Sequence, residues 1–336
     1  MRNLAAVLDG PESVSIESRL VPTPRSGEVL VAIRAVGVCG SDSHYYHHGR
    51  IGDFVVEAPL VLGHECSGLI VGLGDAVSDR AVGQRVAVEP GMPCGRCESC
   101  RTGRYNLCPE IRFLGTPPVD GAFTQYLAVD AALAHPVPDE LDDEQAALLE
   151  PLSVAVWANR RGGTRVGDRV LVTGAGPVGL LSAQVARCSG ATRVALIDKN
   201  RGRLAHAASL GLETVNSLEG LPFTPDVLLE CTGAPPVTHA ATAILGPGGR
   251  AILVGMCGES DISVPISAIQ TREITLTGTF RYANTYPAAI ALATSGDVSL
   301  DGIVGLRYPL PQVEAALRAH LTHPDVLKSM VTLPEL

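Results

Sequence analysis

A chain of 336 residues, 46% of them hydrophobic, can bury two cores of ordinary size, which excludes a disordered or fibrous protein. With 35 acidic against 26 basic residues, its net charge of -9 offers no footprint for a nucleic-acid backbone or an anionic membrane surface. No apolar run reaches the roughly 20 residues of a bilayer span, and the start MRNLAAVLDGPES carries acids and a proline where a signal peptide is apolar. The expectation is a soluble cytoplasmic protein with neither nucleic-acid nor membrane partner.

In chain order, Val29 to Val38 reads as a strand, and β-rich stretches punctuated by Gly and Pro continue through Leu127. The first 150 residues therefore read as mostly β. The character changes at DDEQAALLEPLSVAVWANRR, whose apolar spacing suits helices, after which apolar strands alternate with helix-like segments. Strands are expected at RVLVTGAG from Arg169, RVALIDKN from Arg193, DVLLECTG from Asp226, GRAILVGM from Gly249 and ITLTGTF from Ile274. Their continuous apolar character is what two-sided burial in a parallel sheet requires. Beyond about Phe280, YPAAIALATSG and PQVEAALRAHL carry helical patterns expected to pack outside that sheet.

Three motifs carry chemistry. In VLVTGAGPVGLLSAQVA, Gly174, Gly176 and Gly179 have G-x-G-x-x-G spacing after a strand and at the start of a helix. Two glycines let the backbone approach a pyrophosphate, the third lets helix and strand pack closely, and the helix N-terminus supplies amide donors. Asp198 closes the next strand, where a carboxylate accepts the adenosine ribose hydroxyls and repels a 2′-phosphate. That favours NAD, with Lys199 and Arg203 close enough to keep NADP open.

The chain has nine cysteines, an odd count that argues against a disulfide framework. Four of them, Cys94, Cys97, Cys100 and Cys108, crowd into PCGRCESCRTGRYNLC. Four thiolates suit tetrahedral zinc and leave no open position, so this site is expected to be structural. An iron–sulfur cluster or free loop thiols are the rivals. The third constellation is dispersed over GVCGSDSHYYHHGRIGDF and PLVLGHECSG. There a thiolate (Cys39), an imidazole (His64) and a carboxylate (Glu65) can hold zinc and keep one position for water or a substrate oxygen. Asp42, His47, His48 and Arg50 read as surface or structural residues.

With these motifs in place, the sequence resembles the zinc-containing medium-chain dehydrogenase/reductases, and within them the sorbitol (L-iditol, xylitol) dehydrogenases, along essentially the whole chain. CGSDSHYYHHGRIGDF, LGHE with the four-cysteine lobe, LLEPLSVAVWANRR leading into TGAGPVGL, and GTFRYANTYP carry the resemblance. It implies an α/β protein. A GroES-like, mostly-β catalytic domain (1–152 and 285–336, with the zinc lobe at about 90–110) joins a Rossmann doubly wound parallel-sheet domain (153–284). It also implies one catalytic zinc on Cys39, His64 and Glu65, with Glu150 entering the shell or holding the water there, and one structural zinc on the four cysteines. Alcohol dehydrogenases typically present a second cysteine where Glu150 stands, and a carboxylate there suits a substrate with several hydroxyls.

By the same resemblance Ser41 and His44 relay the alcohol proton outward, and Tyr45, Phe113, Thr116, Arg281 and Tyr282 line a polyol pocket. Pro177, Val178, Asp198, Arg203, the turn at Cys231 and Thr232, Val254, Gly255 and Met256, then Thr279, Phe280 and Arg281 follow the cofactor. The thiols of Cys66, Cys188, Cys231 and Cys257 read as buried spectators. The implied reaction moves a hydride between a sugar alcohol and NAD, in a homotetramer or dimer. A zinc dehydrogenase for threonine, butanediol or a simple alcohol is the alternative, and an NAD(H)-binding sensor a more distant one. Because Cys39, Glu65 and Glu150 together over-compensate the charge of one zinc ion, the catalytic zinc is expected to be lost to chelators before the structural one.

Overall fold

The strand Glu28–Gly37 is buried along nearly its whole length because it has neighbours on both edges. It pairs antiparallel with Glu65–Leu73, with Tyr126–Asp130 and with Lys328–Thr332. In this computed structural model, which describes residues 2–259 and 261–334, it is the middle of a seven-stranded sheet. Arg85–Val88 and Ala134–Pro136 extend that sheet on one side and Val304–Pro309 on the other. A three-stranded sheet of Ser13–Leu20, Arg2–Gly10 and Leu60–Val61 accompanies it. Val7, Val31, Ile33, Tyr46, Ile70, Val88, Phe123 and Val331 belong to one shared core. Each such side chain contributes on the order of 2 kcal/mol by leaving water.

The chain divides into two units, Met1–Glu150 with Leu300–Leu336, and Pro151–Ser299. The second contains six strands, all parallel, in the order Glu213–Val215, Arg193–Ile197, Arg169–Thr173, Val227–Glu230, Arg250–Leu253, Thr275–Gly278. Numbered within the unit this is 3-2-1-4-5-6, the doubly wound dinucleotide-binding order. The five expected strands are present. The sixth, Glu213–Val215, is a three-residue edge strand of half-buried residues with no apolar run to announce it.

The boundaries fall at 150/151 and 299/300 rather than at the expected 152/153 and 284/285. Gln184 explains the second difference. From the helix Pro177–Cys188 its side chain donates to Ser299 O (3.1 Å) and accepts from Ser299 N (2.8 Å), and Cys188 Sγ reaches Asp297 O at 3.4 Å. The helix Tyr286–Thr294 therefore belongs with the parallel sheet, while Val313–Thr322 belongs with the β-rich unit. Among the described residues no helix is long and apolar enough to cross a membrane.

Candidate active site and metal centres

The helix Gly40–His48, sequence GSDSHYYHH, has no apolar stripe and little intrinsic reason to form. Tertiary anchors hold it. Tyr45 and Tyr46 are buried, the Tyr46 hydroxyl donates to Glu314 Oε1 at 2.6 Å, and Ser43 Oγ donates to Leu317 O at 3.0 Å. Burial and Glu314 push the Tyr46 phenol up to about 12. At the helix start, Cys39 N donates to Asp42 Oδ2 at 2.9 Å, which fixes Cys39 in extended backbone just ahead of the first turn.

Asp42 is wholly buried, and its other oxygen accepts from Gly63 N at 3.0 Å and lies 3.5 Å from His64 Nδ1. One carboxylate thus ties both ligand-bearing segments together and turns His64 Nε2 outward as the donor nitrogen. The donor atoms of Cys39, His64 and Glu65 all lie within 4.8 Å of one another. Burial alone would depress the His64 imidazole, yet Asp42 and Cys39 raise it well above its ordinary value. A metal ion here competes with that proton.

Glu65 shows that the cluster fits a cation. Its Oε1 receives Lys328 Nζ at 2.7 Å, and both side chains are buried. Its Oε2 is also buried and has no hydrogen-bond partner among the described residues. An orphaned carboxylate oxygen is costly unless a cation meets it. Gly37 makes room for this oxygen: a Cβ there would stand 2.1 Å from it. Lys328 also donates to Val38 O at 3.1 Å. Its burial would lower the ammonium, but Glu65, Cys39 and Glu150 hold it charged. A thiolate, an imidazole and a carboxylate with one side left over are a zinc site of the open, catalytic type.

Glu150 is buried but stands outside the three-donor cluster, near enough for its charge to reach Lys328 and Cys66. Cys66 is not among the donors of the cluster, and burial, opposed by His64 and seconded by Glu150, pushes its thiol up to about 12. The Phe113 ring sits 5.6 Å from the His64 ring, centroid to centroid. Ser41 and Thr116 are half-buried and His44 is exposed. Desolvation, then the charges of His48, His320 and His47, lower the His44 imidazole below its usual value.

The four-cysteine lobe is built differently. Its helix Glu98–Arg101 has no buried residue, so apolar packing cannot hold it. Its four sulfurs lie within 4.8 Å of one another. Cys97 and Cys100 are 3.4 Å apart and Cys94 and Cys100 4.0 Å apart, bracketing the edge of about 3.8 Å that four Zn–S bonds of about 2.3 Å define. Backbone N–H groups of Arg96 and Cys97 draw the Cys94 thiol down to about 6, while desolvation and the neighbouring thiols push Cys100 up to about 12. Four thiolates so close need a cation, and their number closes the shell.

In the second unit, Gly174 has φ +88, and a Cβ on Gly179 would lie 1.8 Å from Gly174 O, so the turn closes only with glycines. Gly176 caps the helix Pro177–Cys188. Asp198 accepts from Ala175 N at 2.7 Å and from Asn200 N at 2.8 Å, which fixes its carboxylate beside the Gly-rich loop. The Arg203 guanidinium lies 3.9 Å from where a Gly176 Cβ would be. Buried Glu230 organises the neighbouring turn by accepting from Thr232 N (2.8 Å) and Gly233 N (3.0 Å). Its carbonyl accepts from Val254 N (2.8 Å) and Gly255 N (2.9 Å). Met256 and Phe280 are exposed apolar residues near the same strand ends.

Residues 25–139 match the alcohol dehydrogenase GroES-like domain, and residues 177–295 match the zinc-binding dehydrogenase family. A sorbitol dehydrogenase of Bacillus subtilis (strain 168) is 41% identical over 343 aligned positions, covering 97% of this chain and 96% of the relative. The chain belongs to the zinc-binding dehydrogenases. Within that family it is sorbitol dehydrogenase-like. L-idonate 5-dehydrogenase of Escherichia coli K-12 superposes with a TM-score of 0.93 at 29% identity, over 99% of both chains. A short chain alcohol dehydrogenase of E. coli CFT073, complexed with NADH, superposes with a TM-score of 0.91 at 28% identity, over 99% of both chains.

The zinc-binding dehydrogenase fold thus brings together the sequence-expected donors Cys39, His64 and Glu65, with Phe113 beside them, and separately the four lobe cysteines. Arg281 and Tyr282 lie in the other unit, where Arg281 has φ +51 and stacks 4.7 Å over the Phe280 ring, and Tyr282 is buried. One expectation needs correction: of the four thiols expected to be buried only Cys66 is fully so, Cys188 being exposed. Three residues of this dehydrogenase were not foreseen in their roles: Asp42, Lys328 and Glu230. A signal existed for Asp42 alone, the third residue of its helix, where a capping carboxylate belongs.

Proposed function

We propose that this chain is a zinc-dependent, NAD-linked polyol dehydrogenase that oxidises a sugar alcohol such as sorbitol or xylitol to the ketose and runs in reverse. The observation that carries this reading is the three-donor cluster of Cys39, His64 and Glu65 with the Glu150 carboxylate beside it. The similarity to sorbitol dehydrogenases over nearly the whole chain supports it. Bound on those three residues, zinc supplies a Lewis acid that acidifies a substrate hydroxyl and polarises the ketone in reverse.

The chain does the rest. Glu150 accepts a hydrogen bond from a hydroxyl or water at the open side of the cluster. Ser41 and His44, on the helix that Cys39 begins, pass the alcohol proton outward, and the exposed His44 hands it to solvent. The lowered His44 imidazole is neutral at physiological pH, ready to accept. Tyr45, Phe113 and Thr116 line the substrate site, with Phe113 keeping water from the His64 side. Gly174, Gly176, Pro177, Val178 and Gly179 take the pyrophosphate and Asp198 the ribose hydroxyls. Arg203, Cys231, Thr232, Val254, Gly255, Met256, Thr279, Phe280 and Arg281 complete the cofactor path. Asp198, held by two backbone donors, selects NAD over NADP, Arg203 notwithstanding. On the family reading the enzyme is a cytoplasmic homotetramer or dimer.

The test is the initial rate of NAD reduction with sorbitol, xylitol, galactitol, threonine, 2,3-butanediol and ethanol, on metal-replete and chelator-treated protein. Zinc-dependent oxidation of a polyol is expected. Activity confined to threonine, butanediol or ethanol would overturn the substrate class.

A further inference from the structure

In the parallel sheet the strand order reverses between Arg169–Thr173 and Val227–Glu230, which lie side by side with Thr173 opposite Glu230. Dinucleotides bind in the crevice outside such a reversal, at the carboxyl ends of the strands. We infer that Glu230 is a positioning residue for the cofactor, its carboxylate locking the turns that meet at this crevice into one rigid rim. The inference rests on the NAD-linked reading above.

Glu230 is buried, and four donors meet its carboxylate. Oε1 accepts from Thr232 N at 2.8 Å, from Thr232 Oγ1 and, across the reversal, from Thr173 Oγ1 at 3.2 Å. Oε2 accepts from Gly233 N at 3.0 Å. A carboxylate accepts on both oxygens, whereas a glutamine amide would turn its NH2 against one of these donors. The backbone oxygen of Glu230 adds the third turn, accepting from Val254 N and Gly255 N. One residue thus joins the strand that enters the Gly-rich loop, the turn at Thr232 and Gly233, and the turn at Gly255 and Met256.

The rim has no slack. A Cβ on Gly174 would stand 3.0 Å from Thr232 Cγ2, one on Gly233 2.3 Å from Met256 O, and one on Gly255 2.3 Å from Gly233 N. Any displacement of Thr232 and Gly233 is therefore passed to both neighbouring turns. From the other side Asp198 holds Ala175 N at 2.7 Å, so the Gly-rich loop is pinned by carboxylates from two flanking strands. Supports of this kind fix groups that contact a ligand without touching it themselves.

The experiment uses the holoenzyme with both zinc centres filled, reads NADH binding from the cofactor's fluorescence, and measures rates of NAD reduction with the polyol. In Glu230→Gln the Kd for NADH and the KM for NAD should each rise roughly tenfold, while zinc content and the polyol KM at saturating NAD stay within about twofold. Thr173→Val, which removes one donor at unchanged size, should raise the same two constants about threefold. Glu219→Gln, an exposed carboxylate of the same unit, should leave binding intact. A merely structural role would lower the melting temperature and leave the Kd, measured well below it, unchanged. An unaltered Kd in folded Glu230→Gln would overturn the inference, and if that variant does not fold, an unaltered Kd in Thr173→Val does so. Failure of the unaltered enzyme to bind NADH would instead overturn the NAD-linked reading, and this inference with it.

Discussion

The two zinc centres of the β-rich unit solve opposite problems. The cysteine lobe draws all four donors from positions 94 to 108, has no buried residue in its helix Glu98–Arg101, and closes its shell. The cluster of Cys39, His64 and Glu65 gathers its donors from separate segments and leaves one side open. It rests on buried supports that are not ligands, Asp42 tying Cys39 to His64 and Lys328 tying Glu65 to the Cys39 segment. A metal that makes a lobe can rely on its ligands alone. A metal that must exchange a ligand during turnover needs a scaffold that stays put without it.

The largest effect should follow from breaking the lobe. Cys108→Ser removes a donor from a lobe whose helix Glu98–Arg101 has no buried residue, so zinc content should fall from two to one per chain and the melting temperature by many degrees, read by metal analysis and calorimetry. An unchanged melting temperature would mean the lobe holds itself.

Lys328→Met comes next. It leaves the Glu65 carboxylate buried and unpaired, a loss of about 3–5 kcal/mol for breaking such a pair from one side. It should also loosen the open-site zinc while the lobe keeps its own. Lys328→Arg should restore stability in part, and equal zinc retention in all three proteins would refute a supporting role.

In the unaltered enzyme, chelation should separate the centres. Zinc should leave the Cys39–His64–Glu65 site at least about tenfold sooner than the lobe, because three protein donors hold it there against four in the lobe and one face is open. Release of both metals with one time course would erase the contrast.

The smallest effect concerns pH. His44 must be neutral to accept a proton, and desolvation followed by the His48, His320 and His47 charges lowers its pKa. Activity should therefore fall only as pH drops below the ordinary imidazole range. Removing one like charge with His48→Gln lets the pKa rise, so the acidic limb of kcat/KM should shift by a few tenths of a unit to higher pH. A limb that stays put would separate His44 from the proton path.

The same contrast explains what could be read in the sequence. The lobe was legible outright, because its cysteine spacing is local. So was the parallel sheet, whose strands are continuous apolar runs such as VLLE at Val227–Glu230. The helix Gly40–His48 was not, since it is polar along its length and is held by contacts to Glu314 and Leu317 far along the chain. The edge strand Glu213–Val215 has too little apolar content to show itself. Lys328 and Glu230 look like surface charges in the sequence, and only burial turns them into supports. The segment up to Ser299 was given to the wrong unit because Gln184, one polar residue in an apolar helix, decides where it docks.

The position of Lys328 also sets an order of assembly. Its strand, Lys328–Thr332, leaves the ribosome only after the whole unit Pro151–Ser299 has been made, yet it completes the cage around Glu65. The lobe at 94 to 108 can capture its zinc early, on the nascent chain. The open site is complete only once the strand Lys328–Thr332, made after that unit, has joined it, so its support depends on a segment far along the chain from its ligands.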